Sequence, residues 1–507
     1  MRMVPINTET PKALLRVKGE VLIERHIRHL KEAGVENIYI VVGFMKEAFE
    51  YLIDKYGVKL LVNPDYSTKN NMYSLLKAIK YIKNSYIIPC DVWCEENPYR
   101  SYELYSWYMV TTANDEDSVV RVNRKKELVL DTKDCRRMVG IAYIDSEAAD
   151  KLIYNIDSMC KVPDNYDLFW ESCLVENGRY LINARVVDDK FVIEINTYEQ
   201  LREIDSNSVQ LKSNAITVIS NAMQVDEQEI TNISVLKKGM TNRSFLFRCK
   251  DKRYIMRIPG EGTDMLINRQ NEASVYNEIN GKGICDNIVY INPENGYKIT
   301  EYIEDARVCD PLDDSDIRRC MKKLKEFHES NIKVNHDFDL FGQIEFYEKL
   351  WNNTPSAYSD YDITKKNVLS LKAYIDKHIK NRCLTHIDAV PDNFLFDSND
   401  EIKLIDWEYA GMQDPHLDIA MFCIYALYEK DEVDHLIDLY FDGTCPEKTR
   451  TKIYCYIAVA GLLWSNWCEY KRLFGIEFGE YSLRQYRYAK DYYKIARKRI
   501  DNEAGEK

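Results

Sequence analysis

Up to about residue 205 the chain alternates short apolar, β-branched runs with stretches whose apolar positions recur every three or four residues. "NIYIVV", "KLLVN", "SYIIPCD" and "FVIEI" read as strands, and Val21 to Ala33 reads as a helix. Such alternation predicts a parallel or mixed sheet covered by helices. The polar stretch "REIDSNSVQLKSN" then breaks the pattern. From about Val225 strands come first, in "ISVLKKGMTNRSFLFRCKDKRYIMRIPG", and helices fill the remainder. That order predicts a bilobal unit with a small β-rich lobe ahead of a larger helical one. The expected boundaries are a domain over 1–205, a linker or connecting helix over 206–225, and a domain over 226–507. The second domain divides into lobes over 226–303 and 304–507.

Composition narrows the class. The 507 residues, 45% hydrophobic and 30% charged, suit an ordinary globular protein of more than one domain. A net charge of −13 argues against a nucleic-acid partner and is compatible with a cationic small substrate. The fourteen cysteines are scattered without a CxxC pair, which predicts free thiols in a reducing compartment. The apolar stretch "YIAVAGLLW" is about half of the roughly 20 residues a membrane span needs, and "MRMVPINTETPK" is no signal peptide. A cytoplasmic protein without membrane insertion is expected; an oligomer is compatible with these numbers.

The candidate chemistry of the second half centres on "LTHIDAVPDNFLFD". His386, Asp388 and Asn393 form an H-x-D-x4-N pattern, and "KLIDWEYA" places Asp406 at the end of the next strand. Phosphoryl transfer needs an acid to orient or deprotonate the attacking hydroxyl and oxygen ligands to hold Mg²⁺ on the phosphates. Asp388 suits the first task, Asn393 and Asp406 the second. A turn capped by Asp and Asn would account for any one of these residues, but not for all of them in this order. Upstream, Gly239, Thr241, Asn242 and Ser244 form a small hairpin able to cover phosphates. Arg257 sits on a strand and Glu272 on a helix, where the two could pair. Thr300, Glu301 and Tyr302 end a strand suited to a hinge contacting adenine.

These residues resemble the choline/ethanolamine kinase family, within the aminoglycoside-phosphotransferase-like kinases, from about Ile230 to Lys498. The resemblance is carried by "GMTNRSF", "IMRIPG", "HIDAVPDNFLF", "LIDWEYAG" and "DPHLDIAMF". It implies an α+β, bilobal, protein-kinase-like domain using ATP and Mg²⁺, with Asp388 as base, Asp406 as metal ligand and Asp418 in support. Trp464, Trp467 and Tyr470 share one helix face. An aromatic stripe of this kind is usually core, but aromatic faces also hold quaternary ammonium groups through cation–π attraction. In the family a tryptophan pair in this region helps cage choline, and Tyr409 would add a wall. Choline is the expected acceptor, with ethanolamine or an aminoglycoside as alternatives.

The first half, "PINTETPKALLRVKGEVLIERHIRHLKEAGVENIYIVVGF", resembles sugar-phosphate nucleotidyltransferases and CTP:phosphocholine cytidylyltransferase. That resemblance implies an α/β, Rossmann-like nucleotidyltransferase domain using CTP. Lys12 would meet the nucleotide phosphates, and Asp91 and Glu194 would bind the metal. Two departures stand out. The sequence begins inside the expected glycine-rich loop, at "MRMVP", which predicts a truncated phosphate cradle, explained either by a start chosen too far downstream or by decay. Asn196 stands where a late acid is expected, which predicts weaker metal binding. The combined expectation is a fusion that makes phosphocholine and then CDP-choline for decorating bacterial surface glycans such as lipopolysaccharide or teichoic acid. The alternatives are a sugar-phosphate nucleotidyltransferase, or a non-catalytic nucleotide-sensing module, in the first half.

Overall fold

The computed structural model describes residues 5, 10–206, 208, 211–236, 242–260 and 266–505. By its contacts the chain divides into two compact units, Met1–Asn221 with Val225–Leu236, and Ala222–Gln224 with Lys237–Lys507. The strand Ile230–Val235 lies in the first unit. Arg202 donates to the Ile230 carbonyl at 2.7 Å, and the Ile233 amide donates to Glu199 at 3.1 Å.

In the first unit the sheet is mixed. Its order is Ser85–Ile87, Arg136–Ile144, Trp107–Asn114, Arg179–Val187, Glu127–Leu130, Val120–Val122, with the Trp107 and Arg179 strands parallel and the other neighbours antiparallel. Tyr39–Val42 and Lys59–Val62 form a separate parallel pair. The helix Ser146–Met159 starts where Asp145 accepts the Glu147 and Ala148 amides, and it buries Ala149, Leu152 and Ile156 against Tyr108, Val110 and Ile144 of the sheet. "FVIEI" contributes only a short strand, Val192–Glu194, antiparallel to Val92–Cys94. This pairing matters for function because it brings the end of one strand beside the start of the other: the Ile195 amide donates to the Asp91 carbonyl at 2.8 Å.

The second unit begins with an antiparallel sheet in which Asn242–Cys249, Lys252–Pro259, Lys298–Glu301 and Ile288–Ile291 follow one another, with the helix Arg269–Ile279 preceding the last two in sequence. Helices dominate thereafter. A hairpin, Phe394–Phe396 with Ile402–Leu404, and a second pair, Cys383–Thr385 with Gly411–Gln413, are set among them. The core is closed by two long helices, Glu447–Arg472 and Glu480–Gly505. They approach closely at Gly461, where a Cβ would meet the Gln485 carbonyl oxygen at 2.7 Å. Among the described residues no helix is long and apolar enough to cross a membrane.

Candidate active sites

The H-x-D-x4-N segment is a loop between two short strands, and buried groups hold it from several sides. The Asp418 carboxylate, fully buried on the helix His416–Tyr425, accepts the His386 amide at 2.8 Å and the Ile387 amide at 2.7 Å. His328 Nε2 lies 3.0 Å from the same carboxylate, and its Nδ1 lies 2.8 Å from the Tyr440 hydroxyl. Ile387 has φ +69°, a conformation that a β-branched residue adopts only under constraint. His386 is itself fully buried: Nε2 donates to the Ile405 carbonyl at 2.9 Å and the ring packs on Trp407 at 4.4 Å. Burial also lowers its pKa, keeping the imidazole neutral. His386, expected among the catalytic residues, fastens the loop to the strand end that leads into Asp406.

Asp388 and Asn393 come together as expected. Asn393 Nδ2 donates to the Asp388 carbonyl at 2.9 Å and to its Oδ2 at 3.1 Å, across a single helical turn started by Pro391. The Asn393 carbonyl accepts the Ile405 amide at 3.0 Å, so the turn is also tied to the Asp406 segment. Burial pushes the Asp388 carboxyl up to about 8, with the charges of Asp406 and Glu408 adding to the rise and the Asn393 amide opposing it. Burial and the neighbouring carboxylates thus disfavour the ionised form of Asp388, and a cation beside them would relieve this. This donor set fits a hard cation held by the Asn393 oxygen and the Asp406 carboxylate together with substrate phosphates. Asp406, like Ile387, is left-handed, with φ +67°.

Arg257 and Glu272 pair as expected. Both are buried: Arg257 NH1 and NH2 each donate to the Glu272 carboxylate, NH2 at 2.9 Å, and NH2 also donates to the Gly296 carbonyl at 3.0 Å. Arg269 NH1 bonds Glu272 at 3.0 Å and lies 3.5 Å from Glu408, giving a cluster that the sequence did not suggest beyond its first pair. Ser244 stands directly across the sheet from Arg257, and the Asn242 backbone pairs with Pro259. Gly239 and Thr241 lie outside the described residues. The hinge expectation meets a different arrangement. The amides of Glu301 and Tyr302 donate to the Asn287 and Arg253 carbonyls, and the Glu301 side chain is held by Lys252 at 2.8 Å and Asn287 at 3.1 Å. Thr300 is buried in the strand. The Glu301 and Tyr302 amides are thus taken up by neighbouring carbonyls of the small lobe.

An aromatic wall begins at Tyr409, three residues after Asp406. Tyr409 meets Trp464 edge-on at 6.0 Å, Trp464 meets Trp467 at 5.7 Å, and Trp467 meets Phe478 at 5.0 Å. Burial raises the pKa of Tyr409, Tyr425 and Tyr481, and the charges of neighbouring groups, Asp388 among them, add to the rise. Tyr470 points elsewhere, its ring packed on Phe474 at 5.2 Å. The sequence reading missed Tyr425, Phe478 and Tyr481, which follow no shared periodicity with Trp464.

In the first unit, Lys12 Nζ donates to Asp91 Oδ2 at 2.6 Å and also to Asn196 Oδ1. Asn196 is placed there by the helix that follows: Thr197 and Gln200 form a capping box, and the Asn196 amide donates to Gln200 Oε1 at 2.7 Å. Two oxygens from distant segments thus converge on one cation, with the Lys12 ammonium as the cation present. That convergence fits a divalent ion held by Asp91 and Asn196. Glu194, expected as a ligand, is exposed at the end of its strand, paired with Val92 next to Asp91.

Residues 233–460 match the choline/ethanolamine kinase family model, and residues 2–127 match the MobA-like NTP transferase domain. A choline-phosphate cytidylyltransferase of Streptococcus pneumoniae is 31% identical over 210 residues, 40% of this chain and 92% of that protein. Protein LicA of Haemophilus influenzae is 28% identical over 260 residues, 48% of this chain and 96% of that protein. The crystal structure of choline kinase LicA from Streptococcus pneumoniae is 29% identical and covers 55% of this chain and 97% of that one, with a TM-score of 0.48. Through its N-terminal half the chain belongs to the choline-phosphate cytidylyltransferase family, and that MobA-like nucleotidyltransferase domain is joined in one polypeptide to a choline/ethanolamine kinase domain.

Proposed function

We propose that the C-terminal domain phosphorylates choline with ATP and that the N-terminal domain joins the resulting phosphocholine to CTP. The observation that supports the first half is the edge-on run of the Tyr409, Trp464 and Trp467 rings, which starts three residues after Asp406. A quaternary ammonium has no N–H to donate, so an aromatic surface suits it better than hydrogen-bonding acids would. Asp388 then accepts the proton of the choline hydroxyl as that oxygen attacks the γ-phosphorus and the bond to the ADP oxygen breaks. Asn393 keeps the Asp388 carboxyl in place, and the Arg257–Glu272 pair fixes the strand and helix that line the nucleotide side. Mg²⁺ bound with ATP offsets phosphate charge, and Asn393 and Asp406 would hold it.

In the N-terminal domain, the convergence of Lys12, Asp91 and Asn196 supports a nucleotide triphosphate site. Lys12 would bind phosphate oxygens, with Asp91 and Asn196 as the cation's ligands. The full chain incubated with choline, Mg·ATP and CTP, followed by ³¹P NMR, tests both steps. Phosphocholine that disappears in Asp388→Ala, and CDP-choline that disappears in Lys12→Met, are expected. Phosphocholine without CDP-choline would restrict the reading to the kinase, and neither product would overturn it.

A further inference from the structure

Ile387 and Asp406, one residue before Asp388 and one acid of the cation set, both sit in the left-handed region without being glycine. Such backbones are strained and persist only where their surroundings hold them. For Ile387 the holder is Asp418. For Asp406 a holder comes from the helix Arg269–Ile279. The Trp407 amide, directly after Asp406, donates to the Tyr276 hydroxyl at 3.4 Å. Lys298 Nζ donates to the same hydroxyl at 2.6 Å and lies 4.3 Å from the Tyr276 ring centroid. Both side chains are buried, and Lys298 Nζ also stands 3.8 Å from Glu272 Oε1. The next residue, Glu408, is approached by Arg269 NH1 at 3.5 Å and by Arg257 NH1 at 3.8 Å. Of three consecutive residues, the small lobe therefore holds the amide of the second and the carboxylate of the third. The first carboxylate, Asp406, is left for a ligand.

We propose that Tyr276 is a positioning residue for phosphoryl transfer: its hydroxyl, oriented by Lys298, fastens the Trp407 amide and so fixes the left-handed turn that sets the Asp406 carboxylate. The assignment rests on reading Asp406 as a cation ligand of the kinase site. A tyrosine buried only to fill space would use its ring, and phenylalanine would replace it at little functional cost. Here the hydroxyl accepts two donors from different elements, one of them the main chain of the site.

The test uses the full chain carrying Asp91→Ala, which removes the N-terminal carboxylate so that binding reports the kinase site. Mn²⁺ binding in the presence of ADP is followed by electron paramagnetic resonance, alongside steady-state kinetics. Tyr276→Phe is expected to weaken Mn²⁺ binding by about fivefold to tenfold and to lower kcat, leaving the KM for the alcohol acceptor unchanged. Lys298→Met, which keeps the hydroxyl but removes its orienting partner, is expected to give a smaller loss in the same direction. Should Tyr276→Phe fail to fold, unchanged Mn²⁺ affinity in Lys298→Met overturns the proposal. Unchanged affinity in Tyr276→Phe beside a loss in Asp406→Ala overturns the tether and leaves the reading of Asp406 standing. Unchanged affinity in Asp406→Ala overturns that reading, and the tether with it.

Discussion

The Asp418 carboxylate accepts the Ile387 amide at 2.7 Å and, with it, the His386 amide at 2.8 Å, immediately ahead of Asp388. One fully buried acid thus compensates a backbone conformation that isoleucine does not adopt unaided. Asp418→Asn replaces one acceptor oxygen with a donor facing two amides and a histidine. The loss is about 3 kcal/mol of stability, and misplacement of the loop lowers kcat on the order of 100-fold. Thermal melting and kinase assays check both; a full kcat at reduced melting temperature would restrict Asp418 to folding.

The aromatic wall makes a separate prediction about binding. Trp467→Ala removes the ring between Trp464 and Phe478, and the KM for choline is expected to rise about tenfold while the KM for ATP holds. Tyr470→Phe, altering a ring packed on Phe474 outside the wall, is expected to leave both unchanged.

How much of this was legible beforehand follows from where each signal lies in the chain. His386, Asp388, Asn393 and Asp406 fall within one short loop and the hairpin after it, so order and spacing exposed them. Asn196 read as a weaker ligand than the acid expected there. Its convergence with Asp91 comes from strand pairing and a capping box that sequence order alone does not reveal. Tyr425, and Phe478 with Tyr481, reach the wall from two other places along the chain, and periodicity reports only neighbours on one helix. Tyr276 is a buried helical tyrosine like many others until the fold sets its hydroxyl beside Trp407.

In the N-terminal domain, Asn196→Asp adds a second carboxylate beside Asp91 and Lys12. A divalent ion gains the additional charge, and Mn²⁺ affinity in the presence of CTP is expected to rise about tenfold. An unchanged affinity would show that the cation is held elsewhere.

Glu171 supplies a pH dependence. Burial raises its carboxyl to about 7 despite the Tyr108 hydroxyl bonded to it at 3.0 Å, with the Glu194 charge adding to the rise. The folded form therefore binds the proton more tightly than the unfolded chain. Its contribution is fully present below the unfolded value of 4.5 and is lost as pH rises through about 7. Between those values Glu171→Gln is expected to flatten the decline in stability of the wild-type unit by about 1–3 kcal/mol, read from urea midpoints across pH. Parallel curves for the two proteins would contradict the assignment.

The most direct test of the account compares kcat/KM for choline, ethanolamine and kanamycin with Mg·ATP in the full chain. The account predicts that choline is preferred, that Asp388→Ala abolishes turnover of all three, and that Trp467→Ala erodes the preference for choline. Equal or greater kcat/KM for ethanolamine or kanamycin, with Trp467→Ala leaving the ranking unchanged, would contradict it.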